Sequence, residues 1–163
     1  MRKVIVLCAC VCGIPLVEAF AAGEPVAAAV SPDGRNEIRL YAEPLRYEVR
    51  RDRAVVVAPT PVNLRVDGRE LAARDARPLS VAAHASAGTL ATPVYKKASI
   101  DLAANGCRAD FGGWGIALAA RDDGVAYRFE LKFPGTVRID GETAGVTLPS
   151  GEADCIAYYE QSG

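Results

Sequence analysis

The chain has 163 residues, half of them hydrophobic, with 19 basic and 20 acidic residues, one His and a formal net charge of −1. That length fits one domain with a real core, and the balanced charge gives no electrostatic reason to expect nucleic acid or an anionic membrane surface as partner. One His and five Cys supply no zinc-ligand spacing, and "GGWG" lacks the Lys-Ser/Thr and the helix of a phosphate loop.

Arg2 and Lys3 are followed by an apolar run, Val4 to Val17, and by the small-x-small triplet Ala19-Phe20-Ala21. This layout predicts a secretory signal peptide over residues 1–21, cleaved after Ala21, with the product periplasmic or secreted. The run is too short to span a bilayer, which needs roughly 20 apolar residues, so no membrane attachment is expected after cleavage. Leu7-Cys8-Ala9-Cys10 offers a competing lipobox, but the apolar run before Cys10 is very short for one. Without Arg2, Lys3 and Glu18 the remainder, residues 22–163, has 17 basic and 19 acidic residues, a net charge of −2. It keeps two cysteines, Cys107 and Cys155. In an oxidising compartment these form either one disulfide or two separate buried thiols, and the sequence leaves both open.

Residues 22–163 read as all-β and as one domain. Pro32-Asp33-Gly34 is a turn joining a short apolar run to an alternating strand. In that strand Ile38 and Leu40 face one way and Glu37, Arg39 and Tyr41 the other. In "LRYEVRR", Leu45, Tyr47 and Val49 oppose Arg46, Glu48 and Arg50. Asp52-Arg53 turns into Ala54–Val57, expected to be a more buried strand. Pro59 and Pro61 predict a connection or sheet edge. Val62, Leu64 and Val66 share a face before an Asp67-Gly68 turn and a short return strand, and residues 72–78 read as a link. Two or three strands follow, with turns at Ala87-Gly88 and near Pro93. Asn105-Gly106 is the strongest two-residue hairpin signal, joining Ser99–Leu102 to Cys107–Phe111. After Gly112-Gly113 comes "WGIALAAR", and Asp122-Asp123-Gly124 turns it back into "VAYRFELKF", with Gly124 suited to positive φ. Strands over Val137–Ile139 and Gly145–Leu148 are expected to flank an Asp140-Gly141 turn. Turns every eight to twelve residues predict an antiparallel β-sandwich or barrel.

Four blocks carry a resemblance, in this order: "SPDGRNEIRL", "LRYEVRRDRAVVVAPTPVNLRVDG", "TPVYKKASIDL" and "DFGGWGIALAARDDGVAYRFEL". Together they resemble the N-terminal β-domain of family 97 glycoside hydrolases, bacterial α-glucosidases and α-galactosidases. The resemblance implies an all-β fold, an antiparallel sandwich of the galactose mutarotase-like supersandwich kind, incomplete at its C-terminal end. It also implies that the catalytic carboxylates and most of a calcium site belong to a (β/α)8 barrel in cis, absent from these residues. No family catalytic residue has a matching position, so no catalytic residue, metal ligand or cofactor is assigned to this chain; calcium is an expectation for the full-length family alone. The implied role is carbohydrate binding, with α-linked oligosaccharide as the partner, and support of an active-site rim.

The residues themselves nominate few sites. Glycoside hydrolysis needs two carboxylates flanking the scissile bond. Asp122 and Asp123 read as turn residues, and Glu152 and Asp154 as loop residues beside Ser150 and Gly151; Glu160 matches no metal-ligand motif. His84, the single imidazole, would serve a mutarotase-like epimerase only beside a carboxylate, and none is readable nearby. Trp114, Tyr158 and Tyr159 are the candidates for stacking on sugar rings, with Trp114 sharing its parity with Ile116 and Leu118 and so also suited to the core. A free-standing envelope module that binds glycan or protein on the same sandwich is the competing functional class.

Overall fold

The computed structural model describes residues 23–72, 76–91 and 98–149. Among them there is no helix, and every regular element is an antiparallel strand. The first sheet begins with β1 (Ala27–Val30), β2 (Asn36–Tyr41) and β3 (Arg46–Arg51). It continues through β4 (Ala54–Val66), which also pairs with the short β5 (Arg69–Glu70). The second sheet contains β6 (Ser80–Ser86), β9 (Ala104–Asp110), β10 (Trp114–Arg121) and β11 (Gly124–Leu131), in the order β11-β10-β9-β6. Between them in sequence, β7 (Thr89–Ala91) and β8 (Ser99–Asp101) form a separate hairpin. The last strand, β12 (Ile139–Ala144), returns to the first sheet and pairs with β4.

Alternation drives the packing, because period 2 puts one set of side chains on one face. Ile38, Leu40 and Val62 from the first sheet meet Ala109, Ile116, Leu118 and Ala120 from the second, all at 2% exposure or less. Val125, Tyr127, Phe129 and Leu131 line the inner side of β11, as their spacing predicts. Ala126 and Arg128 lie exposed on its outer side. Gly34 takes φ 75° in the Pro-Asp-Gly turn, and Asp67 and Gly68 take 48° and 75° between β4 and β5. Asp52 and Arg53 also sit at positive φ, 49° and 71°, giving β3–β4 the turn twist that matches paired strands without a glycine.

Several expectations need correction. Tyr41 and Glu48, assigned to a polar face, are both 3% exposed. Glu48 lies at a register shift opposite β4 and pairs with Arg50 at 2.5 Å. Pro59 and Pro61 do not break the chain into two elements. β4 runs through both, and Pro59 falls at that bulge, where the ladder skips and no N–H is required. Ala54–Val57 is not a more buried strand, since Ala54 and Val56 are exposed. Asp140-Gly141 lies inside β12, at a bulge, and not between two strands. There Asp140 Oδ2 accepts the Gly68 N–H at 2.5 Å. Asp67 and Arg138 exchange two further bonds, so β12 is clamped to the β4–β5 turn. Gly145–Leu148 is not a strand of its own, although Thr147 O accepts the Ala58 N–H at 2.8 Å beside β4. Gly124 does not use positive φ; the turn is made by Asp122 and Asp123 alone, with Arg121 paired to Gly124.

Asn105-Gly106 is the largest departure. Both residues lie inside β9, and the chain enters that strand through Leu102 and Ala103. A Cβ on Gly106 would come within 2.3 Å of His84 Nε2 and 2.9 Å of Leu118 O. Asn105 Nδ2 donates to Val30 O at 2.9 Å, tying the second sheet to the first. The pair is therefore fixed by tertiary contacts and not by turn geometry.

Candidate functional site

Trp114 is the one sugar-stacking candidate among the described residues; Tyr158 and Tyr159 lie outside them, as do Cys155, Glu152, Asp154 and Glu160. Trp114 opens β10 and is 7% exposed. Its ring lies parallel to that of Phe111, with centroids 4.1 Å apart and 3° between planes, and Phe129 packs at 6.1 Å. Tyr127 and Tyr47 extend the aromatic set, 5.2 Å apart, and the Tyr47 hydroxyl donates to Gly145 O at 2.6 Å. The faces that a sugar ring would use are occupied by protein.

The Asp122-Asp123 turn has a different task. Asp122 Oδ1 accepts the backbone N–H of Asp33 at 3.0 Å, and Asp123 pairs with Arg121 at 3.0 Å. Asn36, 4% exposed, donates its side-chain amide to Arg121 O and Asp122 O at 2.9 and 3.0 Å. The Asn36 oxygen in turn accepts from Arg51 Nη1 at 3.1 Å. The Pro-Asp-Gly turn of one sheet is thus bolted to the Asp-Asp-Gly turn of the other. Sequence reasoning missed Asn36; the available signal was a polar amide at the buried parity of an alternating strand.

The outer face of the second sheet holds the best-formed surface feature. Residues directly opposite across the strands are His84, Gly106, Ala119 and Ala126, followed one row on by Arg108, Ala117 and Arg128. A shallow cleft of about 300 Å³ runs over Ala117, Ala119 and Ala126 between His84 and Arg128. His84 makes no hydrogen bond and no ion pair among the described residues, and its ring lies over Gly106. Glu130 on the same face is held by Arg108 and Arg128, so it is not free to act with His84.

The carboxyls displaced from their usual range move down. Ser31 and the Arg35 backbone lower Asp33, Lys132 lowers Asp110, and the Gly68 N–H lowers Asp140. Burial alone would raise Glu130, but its bonds to Arg128 and Arg108 outweigh it. A general acid needs the opposite shift. Burial pushes the Cys107 thiol up, as suits an inert packed side chain. Among the described residues no three His, Cys, Asp or Glu side chains converge to hold a metal ion.

This geometry defines a class: an all-β sandwich whose best-placed polar groups hold its sheets together. Comparison narrows the class. Residues 29–162 match the family model described as "Glycosyl-hydrolase 97 N-terminal", and the chain belongs to that family. It is 29% identical over 135 residues to a "Probable retaining alpha-galactosidase" of Streptomyces bingchenggensis strain BCW-1. That match covers 80% of this chain and 21% of the relative. Among solved structures it is similar to a family 97 glycoside hydrolase from Pseudoalteromonas sp. strain K8, in complex with acarbose. The TM-score is 0.60 at 18% identity, over 71% of this chain and 19% of the enzyme. A β-arabinopyranosidase gives a TM-score of 0.67 at 15% identity, over 76% and 21%. The chain thus spans about a fifth of the length of these relatives.

Proposed function

We propose that this chain is a non-catalytic supporting domain of a secreted, family 97-type glycosidase, with carbohydrate contact as its binding role. One observation carries the reading: the match covers the N-terminal family model and only 21% of an α-galactosidase relative. The surface supports it. Leu79, Val146 and Ile139 are 78%, 68% and 60% exposed, and apolar side chains in such number suit a domain that packs against more polypeptide. Catalysis is assigned to a barrel in cis, and carbohydrate enters because a relative's structure holds acarbose.

The test is direct. The purified protein is incubated with p-nitrophenyl α-glucoside and α-galactoside, and titrated calorimetrically with α-linked oligosaccharides. No turnover is expected, with saturable binding; turnover that survives removal of contaminants overturns the supporting role, and absence of binding removes the carbohydrate contact. Export with cleavage after Ala21 predicts Ala22 as the first residue of the mature protein, read by N-terminal sequencing.

A further inference from the structure

The two edges of the second sheet differ. β11 carries Arg128 and Glu130, paired with each other and with Arg108, the kind of charge that keeps an edge strand from recruiting another. β6 has no such device. Ser80-Val81-Ala82-Ala83-His84-Ala85-Ser86 contains no Lys, Arg, Asp, Glu or Pro. It keeps an unbroken seven-residue register with β9 and has no bulge. All seven residues are exposed, and β6 is the last strand of its sheet among the described residues. Every second residue of such a strand directs its N–H and C=O away from its one neighbour, leaving a row of unmet hydrogen-bonding groups.

The sequence of β6 is close to a palindrome about Ala83. Reversed against itself, it sets Ser80 opposite Ser86, Val81 opposite Ala85, Ala82 opposite His84, and Ala83 opposite Ala83. Val81 and Ala83 lie opposite Ala109 and Cys107 and so share the core-facing side, where Val81 is still 45% exposed. Apolar therefore meets apolar on the inner side, and small or polar meets small or polar on the outer. No charge faces a like charge anywhere along the pair, and no side chain is large enough to block it. His84 is already folded over Gly106, clear of the strand's free edge.

The geometry points to a second copy of this chain as the partner of β6: two molecules pair antiparallel about a two-fold axis at Ala83, joining two four-stranded sheets into one. This is an isologous contact, which closes at two subunits and does not propagate. It differs from open-ended aggregation through an exposed edge, which would give a range of sizes.

Sedimentation velocity on the purified protein, over about a hundred-fold range of concentration, is the experiment. A monomer–dimer equilibrium is expected. Ala83→Lys sets two ammonium groups face to face across the axis and should weaken the dimer about ten-fold or more. Ser86→Lys, facing Ser80 at the end of the pair, should weaken it far less. Both sites are exposed, and circular dichroism of each variant checks that the fold is kept. Ala83→Cys should give a covalent dimer on mild oxidation, above any background from the parent chain, while Ala82→Cys should not. A monomer at every concentration, a polydisperse series, or a dimer indifferent to Ala83→Lys overturns the proposal.

Discussion

Asn36 and Asp122 hold the two sheets together at one end. The Asn36 amide donates to the Asp122 carbonyl at 3.0 Å, while the Asp122 carboxylate accepts from the backbone of Asp33, three residues before Asn36. These residues come from the first and last thirds of the described chain, 86 positions apart. Each satisfies groups that the other's turn leaves open.

Replacing Asn36 by Leu should therefore cost more than the loss of one surface contact. Two carbonyls and an Arg51 N–H lose their partner at a 4%-exposed position. Removing one partner of a buried polar set costs about 1–3 kcal/mol. Urea unfolding should show that loss, with Asp122→Asn much milder because its amide oxygen can still accept from Asp33.

Gly106→Ala should destabilise through two contacts, the His84 ring and Leu118 O. Overpacking of this kind costs about 1–3 kcal/mol. The His84 ring can be removed and the backbone oxygen cannot. His84→Ala alone should change stability by less than about 0.5 kcal/mol, since it is exposed, and should recover part of the Gly106→Ala loss. A double-mutant cycle with no coupling would show that the ring does not rest on Gly106. The same His84→Ala variant addresses epimerase chemistry: any sugar mutarotation by the parent that persists unchanged excludes His84 from it.

Arg53 holds φ 71° in an exposed turn without the freedom of glycine. The left-handed region costs a non-glycine residue about 1–2 kcal/mol, offset partly by the greater unfolded entropy of glycine. Arg53→Gly should raise stability by about 0.5–1 kcal/mol, read as a higher urea midpoint at unchanged slope.

Trp114 is the only tryptophan, so its fluorescence reports one site. Its ring is packed between Phe111 and Phe129, and emission should be blue-shifted in the folded protein and insensitive to α-linked oligosaccharides. Trp114→Ala should cost about 3–5 kcal/mol. A saturable change of emission with sugar would assign Trp114 to a binding surface.

Acid should destabilise the fold below about pH 4. Asp33, Asp52, Asp110 and Asp140 all have folded values below the ordinary 3.8. A lowered folded value contributes stability present above the unfolded value and lost as pH falls through the folded one. Thermal midpoints should be steady from pH 7 to about 5 and drop from about 4 downward. Asp33→Asn should flatten part of that drop, because it is Asp33 ionisation that Ser31 and Arg35 favour.

The sequence by itself determined the β class, the hairpin of β1 and β2, the inner face of β11 and the placement of Trp114 with Ile116 and Leu118. Period 2 is a local property, and a strand with one apolar face can be read wherever it occurs. Ordered blocks such as "SPDG" and "DDGVAYRF" carried the family in the same way. Tertiary structure alone decided the rest. Asn105-Gly106 and Asp140-Gly141 have the composition of turns, yet each lies within a strand, because His84 needs the space over Gly106 and the β4–β5 turn needs the Asp140 carboxylate. Pro59 is admitted to β4 because its position meets a bulge in the partner register. Glu48 is buried because Arg50 lies beside it. In each case the deciding atom belongs to a neighbour brought close by the fold, which no local window of sequence contains.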